Sequence, residues 1–170
     1  MIIWINGTYG IGKSSVAERL KEMLKDKSEI IEADLYFEIF CKEKFIKVGG
    51  GCYPQNNKFF INDLRKIIED KEKNNNIVIV PMTVAMEESK VGLIKYFSKK
   101  SMLKHFILTA DKSIIKDRIN NDYGRVKETG LNWMDNNIDF LNSNFEDAYF
   151  INTNNKTIEE IANKIYAEIN

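Results

Sequence analysis

One short stretch near the start of the chain constrains the fold more than any other feature. Residues Gly7–Ser14, Gly-Thr-Tyr-Gly-Ile-Gly-Lys-Ser, fit the pattern G-x-x-x-x-G-K-[ST] without a mismatch. The apolar run Ile2–Ile5 precedes the motif, and a segment of helical period from about Ser14 to Lys25 follows it. Glycines in this context let backbone N–H groups curl around a phosphate at the start of a helix. The order of strand, glycine-rich loop and helix therefore predicts a phosphate-binding loop.

Each part of the predicted loop has a chemical role. Lys13 would place a positive charge on the β- and γ-phosphates of a nucleotide, and the Ser14 hydroxyl is suited to ligate Mg²⁺. We therefore expect ATP or a similar nucleotide together with Mg²⁺, with Lys13 as a catalytic residue. The residues assigned to nucleotide binding in this part of the chain are Gly7, Thr8, Tyr9, Gly10, Ile11, Gly12, Lys13, Ser14 and Ser15.

Short apolar runs alternate with longer amphipathic segments along the rest of the chain. The run Ile77–Val80 holds β-branched residues only, as expected of a strand buried on both faces. Further strands are predicted at Ile30–Ile31, Leu103–Leu108 and Ala148–Ile151. This alternation is typical of βαβ units, so we predict an α/β fold with a parallel sheet and flanking helices. No repeat or linker divides the chain, and residues 1–170 are predicted to form one domain.

The end of the chain has the pattern of a capped amphipathic helix. Thr157 and Glu160 match a capping box, in which the hydroxyl caps the helix and the carboxylate reaches back. The polar face carries three glutamates and one lysine, whereas membrane-surface helices present Lys and Arg to anionic lipid. We therefore predict that this helix packs on the protein's own core through one stripe, formed by Ile158, Ile161, Ile165 and Ile169.

Composition and charge exclude several classes of partner. The 25 acidic and 25 basic side chains balance without a dense basic run, so no nucleic-acid partner is expected. The apolar stretch before Gly7 is too short for a signal peptide or a membrane span, so no integral membrane association is expected either. Two cysteines without metal-ligand spacing fit a reduced, cytoplasmic setting. The oligomeric state, monomer or homodimer, is left open.

An acidic strand end, which often holds Mg²⁺ in P-loop proteins, is missing from the expected place. The run ending at Val80 continues into Pro81-Met82-Thr83. Asp34 follows the second predicted strand, at the edge of the sheet where ligands bind in open α/β folds. We therefore predict that Asp34 binds Mg²⁺ and takes part in catalysis. The alternative is that Asp34 is the N-cap of a helix beginning at Leu35, and the two roles are compatible.

Other polar and aromatic residues are weaker candidates. Arg118 and Arg125 are two of only four arginines, and their planar forks match a transferring phosphoryl group, so both are candidate catalytic residues. A solvated helix face would explain the same pair without function. His105 lies within a predicted strand and is expected to pack or hydrogen-bond there. Tyr53-Pro54 is predicted as a turn, and aromatic residues in such loops often contact ligands.

Several stretches together resemble a known family. They are the opening Met1–Gly7, the run Ile77–Thr83 with Pro-Met-Thr after the strand, His105–Leu108, and Phe145–Thr153. With these stretches the chain resembles the tunicamycin-resistance protein family, within the wider group of P-loop small-molecule and nucleotide kinases. The resemblance implies a three-layer fold with a five-stranded parallel sheet, as in shikimate and nucleoside monophosphate kinases.

The resemblance also implies functions for specific residues. Arg118 and Arg125 would lie in a lid-like segment at about 118–130, and Asn152 to Lys156 would lie near the adenine, so Asn152 joins the cofactor-binding set. The implied activity is phosphoryl transfer to a nucleoside-type antibiotic, conferring resistance of the tunicamycin type. The alternative is a protein that binds and sequesters the antibiotic in the presence of ATP without phosphorylating it.

Overall fold

A parallel sheet lies at the centre of the computed structural model, which describes residues 1–47, 53–74, 77–122 and 127–169. The described residues form five strands in the order β2-β3-β1-β4-β5. They are β1 (Ile2–Asn6), β2 (Ser28–Ile30), β3 (Ile77–Pro81), β4 (Leu103–Thr109) and β5 (Tyr149–Asn152). The strand β1 is central and wholly buried, because β3 and β4 flank it along the sheet and apolar clusters cover both of its faces. The predicted α/β class and parallel sheet are confirmed.

Helices cover both faces of this sheet. They are α1 (Lys13–Leu24), α2 (Ala33–Glu43), α3 (Lys58–Asn74), α4 (Glu87–Ser89), α5 (Lys95–Lys100), α6 (Lys112–Asn120), α7 (Lys127–Asn144) and α8 (Ile158–Ile169), with a 3₁₀ turn at Lys25–Lys27. Alternate residues of each strand face opposite layers. In β1, Ile2 and Trp4 face the layer with α2, α3 and α5, whereas Ile3 and Ile5 face the layer with α1, α6 and α8.

Two local differences from the expectations have clear physical reasons. The helix α2 begins at Ala33 with Glu32 at its N-cap, so the alternative role of Asp34 as an N-cap is wrong. Asp34 instead lies exposed in the first helical turn. The segment predicted as one helix over 87–99 is interrupted by a π-helical turn, Lys90–Ile94, in which Gly92 lets the backbone approach Ile61 closely.

The C-terminal helix packs on the core as predicted, except that Ile158, at 45% exposure, does not join the buried stripe. In α8, Ile161, Ala162 and Ile165 are buried in the cluster that includes α1. The Thr157 hydroxyl accepts a hydrogen bond from the Glu160 N–H at 3.2 Å, and the Glu160 carboxylate accepts one from the Thr157 N–H at 2.8 Å, which is the reciprocal pair of a capping box. Within the described residues, no helix combines the length and the apolar character needed to cross a membrane.

A charge on the buried side of α8 should destabilise the protein. Ile161 is 4% exposed, so Ile161→Asp would bury an unpaired carboxylate, and we expect a loss of about 10 °C in Tm. The matched control is Lys164→Asp, which places the same residue on the exposed face of the same helix and should change Tm by less than about 2 °C. Equal melting temperatures for the two variants, or release of the protein from lipid vesicles by Ile161→Asp alone, would contradict the core packing.

Candidate functional site

The predicted phosphate loop joins the carboxyl end of β1 to the first turn of α1. Gly12 is the N-cap of α1 and has a φ of 98°, a left-handed conformation that glycine adopts at little cost. A Cβ on Gly7 would lie 2.9 Å from the carbonyl oxygen of Leu108, so a larger residue there would force the backbone to move. The first N–H groups of α1 have no carbonyl partner within the helix. The loop therefore has the backbone geometry that an anion requires.

The polar side chains of the loop face a cavity. Lys13 Nζ donates a hydrogen bond to the carbonyl oxygen of Thr8 at 3.0 Å, which holds the amine over the loop. Lys13, Ser14 and Ser15 all line the cavity that opens beside the loop. Their placement agrees with the roles predicted for them, which stay predictions.

The residues that follow β3 contact the loop directly. Thr83 lies where an acidic strand end was expected, and its hydroxyl donates a hydrogen bond to the carbonyl oxygen of Gly7 at 2.8 Å. Pro81 ends β3 and pairs with Ile5 of β1. We call residues 81–84 the strand-end segment. Its threonine supplies a hydroxyl, not a carboxylate, at the edge of the phosphate loop.

Two side chains of β1 hold the strand-end segment through its backbone. Trp4 Nε1 donates to the carbonyl oxygen of Met82 at 3.1 Å. Asn6 Oδ1 accepts from the N–H groups of Gly7, at 2.8 Å, and Val84, at 2.9 Å, while Asn6 Nδ2 donates to the Val84 carbonyl oxygen at 3.2 Å. A buried side-chain amide whose oxygen and nitrogen are both hydrogen-bonded to the backbone holds that backbone in place. The phosphate loop and the strand-end segment are therefore tied to one another.

His105 completes this buried network. Its Nε2 lies 3.2 Å from Asn6 Nδ2, and because that amide nitrogen donates, His105 is neutral with its proton on Nδ1. The ring packs edge-on against Phe145, with 4.8 Å between centroids. Burial lowers the pKa of His105 to about 4. The expectation that His105 packs and hydrogen-bonds within its strand is confirmed.

This depressed pKa makes stability depend on pH. Between pH 6.5 and about 4, the unfolded chain binds a proton at His105 that the folded protein does not, so the free energy of unfolding falls as the pH is lowered through this window, by about 3 kcal/mol. Above pH 6.5 the contribution is fully present. Chemical denaturation at pH 7 and pH 4.5 should show this loss, and it should be smaller in His105→Gln, which cannot titrate. If the free energy of unfolding changed with pH in the same way in both proteins, the pH dependence would not come from His105.

The cavity beside the loop has a volume of about 300 Å³ and extends well beyond the phosphate end. Asp34 lines it, as the sequence predicted for a ligand-binding carboxylate. The turn around Tyr53 also lines it, so this ring is placed where a ligand contact was expected. The remaining lining residues beyond the loop are Pro54, Gln55, Pro81, Met82, Thr83, Met86, Asp122, Thr129, Trp133 and Asn137.

The predicted arginines and Asn152 lie apart from this cavity or outside the described residues. Arg118 donates from Nη1 to the Thr153 hydroxyl at 3.0 Å and from Nη2 to the Thr153 carbonyl oxygen at 3.2 Å. Asn152 ends β5 next to it, and its Oδ1 accepts from the Asn154 N–H at 2.8 Å. The structure thus places the Arg118 fork beside the end of β5, and neither Arg118 nor Asn152 lines the cavity. Arg125 lies outside the described residues.

Two cavity residues of α7 were not found from the sequence. Trp133 and Asn137 are four residues apart and so share one face of the helix. Asn137 is 3% exposed, and its Nδ2 donates to the Thr8 hydroxyl at 3.5 Å. The sequence did contain one signal for Asn137, because an amide on an otherwise apolar helix face is unusual. That signal identifies the phosphate loop as the partner of Asn137 only once α7 has been placed against the loop.

Solved structures with the same fold match this chain over nearly its whole length. No protein-family model matches the sequence, and no curated protein matches it. The tunicamycin resistance protein of Deinococcus radiodurans is 21% identical, with a TM-score of 0.77 over 99% of this chain and 94% of that chain. Shikimate kinase from Bacteroides thetaiotaomicron is 14% identical, with a TM-score of 0.66 over 99% and 98%. The deoxyadenosine kinase from M. mycoides is 18% identical, with a TM-score of 0.57 over 99% and 98%. The chain therefore has the P-loop kinase-like fold, with the five-stranded parallel sheet that the resemblance implied.

Proposed function

We propose that this protein binds ATP with Mg²⁺ and transfers the γ-phosphoryl group to a hydroxyl of a small, nucleoside-type antibiotic, giving resistance of the tunicamycin type. One observation carries the proposal: the phosphate loop and Asp34 line the same cavity of about 300 Å³. A nucleotide on the loop and an acceptor beside Asp34 would share this space. The resistance protein with the same fold supports the choice of acceptor.

The residues of the cavity divide the chemistry between them. Lys13 would meet the β- and γ-phosphates and offset the charge that spreads over the transferring group. Asp34 would accept the proton of the acceptor hydroxyl as its oxygen bonds to the γ-phosphorus, while the bond from that phosphorus to the β-phosphate oxygen breaks. Phosphoryl transfer depends mainly on positioning and charge stabilisation, so a small set of groups suffices.

The oxygen groups present fit Mg²⁺. Ser14 and Asp34 both line the cavity, whereas the described residues contain no cluster of three or more His, Cys, Asp or Glu that would hold a metal by themselves. Mg²⁺ at nucleotide sites keeps several waters and takes few protein ligands, so two such groups are enough. When bound, the ion would neutralise charge on the phosphates; Ser14 and Asp34 would hold it in place.

The arginines have separate proposed roles. The fork of Arg118 already lies against Thr153, next to Asn152, so we assign this pair to the base side of the nucleotide. Arg125 keeps its proposed role at the transferring phosphoryl group, for which a planar fork is well suited.

Sequestration is the second candidate function. It is favoured by Thr83, which presents a hydroxyl bonded to Gly7 where an acidic strand end would otherwise assist Mg²⁺. A protein of this kind would bind ATP and the antibiotic together and release both unchanged.

A single assay separates these functions. The protein is incubated with γ-labelled ATP and a panel of nucleosides that includes tunicamycin, and labelled product, free phosphate and bound ligand are measured. Labelled nucleoside supports the kinase, saturable tunicamycin binding without product supports sequestration, and free phosphate alone would overturn both in favour of a nucleotide switch.

A further inference from the structure

The part of the cavity beyond the phosphate loop has an apolar and aromatic wall. Tyr53 and Trp133 of α7 contact each other edge to face in this wall, with their ring centroids 5.5 Å apart and their planes at 73°. Met82 and Met86 line the same space. Aromatic rings and polarizable thioethers bind flat, weakly polar groups well. This wall therefore favours an acceptor that carries a planar ring.

The wall also offers hydrogen-bond donors to polar atoms at the edge of an acceptor's planar ring. Neither the Tyr53 hydroxyl nor the Trp133 indole N–H has a hydrogen-bond partner within the described part of the chain. An aromatic side chain with an unused polar group is typical of surfaces that bind amphipathic ligands. A ring with carbonyl or imino groups at its edge, such as a nucleobase, has the complementary acceptors.

The charges of the wall exclude a second class of acceptor. Among the described lining residues Lys13 is the only cation, and the phosphate loop commits it to the nucleotide. Asp34 adds negative charge to the lining. An acceptor with its own phosphate or carboxylate would meet this carboxylate and the phosphates of the nucleotide without a further described cation in the lining. Like charges brought together in a partly dry cavity repel strongly.

We propose that the acceptor is an uncharged molecule with a planar ring held by Tyr53 and Trp133, and that the site discriminates against the phosphorylated or carboxylated form of the same molecule. This inference rests on the proposed function, because it concerns the acceptor half of the same cavity. It separates the protein from kinases whose acceptors are acids, such as shikimate, although the fold is shared.

The charge preference is tested by equilibrium binding with a matched pair of probes. Uridine and uridine 5′-monophosphate differ only in one phosphate, and each is titrated into the protein saturated with Mg²⁺ and a non-hydrolysable ATP analogue. We expect uridine to bind at least about tenfold more tightly. Absent uridine binding, or equal or tighter binding of the monophosphate, would overturn the proposal.

The ring contact is tested by variants of the wall. Trp133→Leu should weaken uridine binding by about tenfold while leaving the affinity for the ATP analogue unchanged, and Trp133→Phe should restore most of it by keeping a ring. Unchanged uridine binding in Trp133→Leu would overturn the ring contact. These variants are compared by binding, so they test the acceptor site separately from the reaction. If uridine binds but the assay with γ-labelled ATP gives no labelled product, only the proposed phosphoryl transfer is contradicted. Labelled product formed on the monophosphate in preference to uridine would count against this inference alone.

Discussion

Lys13→Ala should weaken ATP binding by about 100-fold or more, because it removes the charge that faces the terminal phosphates. The fold should tolerate the change. The side chain is only partly buried, and it donates a hydrogen bond to the Thr8 carbonyl oxygen. Calorimetric titration with ATP and Mg²⁺ measures the effect. Thermal shift gives an independent reading, since a ligand at 100 times its Kd adds about 2.7 kcal/mol of stability that the variant should lack.

Lys21→Ala is the matched control for this experiment. Lys21 lies exposed in the same helix, away from the cavity, so this variant should bind ATP as the unaltered protein does. If the folded Lys13→Ala protein bound ATP as tightly as the Lys21→Ala control, the assignment of residues Gly7–Ser14 as a phosphate loop would be wrong.

Asp34→Asn should lower turnover by about 100-fold to 10,000-fold while costing less than about 1 kcal/mol of stability. The amide keeps the size of the side chain but cannot accept the hydroxyl proton or offer Mg²⁺ a charged ligand. The small stability cost reflects the position of Asp34 in the first turn of α2, where a negative charge interacts favourably with the helix dipole. Turnover is measured from labelled product, and stability from urea denaturation of the same preparation.

Glu38→Gln provides the control for charge on α2. Glu38 is an exposed carboxylate one turn further along the helix and does not line the cavity. It should lose neither turnover nor stability appreciably. If Asp34→Asn and Glu38→Gln reduced turnover equally, or if Asp34→Asn lost activity only in proportion to folded protein, Asp34 would have no direct role in the reaction.

The parts of the fold that local patterns determine were predicted well. The phosphate loop is a continuous motif between a strand and a helix, so its position followed from the sequence alone, and β3 followed from a run of β-branched residues. The position of the short edge strand was predicted less accurately. It was predicted at Ile30–Ile31 and is found at Ser28–Ile30, although the Ile31 N–H still donates to the Ile79 carbonyl oxygen at 2.9 Å.

The parts of the site that depend on packing between distant segments were predicted less well. Trp133 and Asn137 reach the cavity because α7 packs beside the phosphate loop, and no pattern in residues 131–142 specifies that contact. The start of α2 was placed two residues late because Glu32 is not a usual N-cap residue, whereas Asp34 is. Arg118 was assigned to the phosphates on its chemistry alone, and the structure places its fork against Thr153.

The way β1 holds the strand-end segment has a consequence for how the cavity can evolve by substitution. Trp4 and Asn6 bond to the backbone of Met82 and Val84, so these contacts do not depend on which side chains those two positions carry. Met82 also lines the cavity, although it is 3% exposed and belongs to the buried cluster around Trp4. Apolar substitutions of similar volume at Met82 would therefore change the lining of the acceptor space while the backbone hydrogen bonds stay in place. A lineage, or a directed-evolution library, could diversify its substrates at this position without disturbing the phosphate loop.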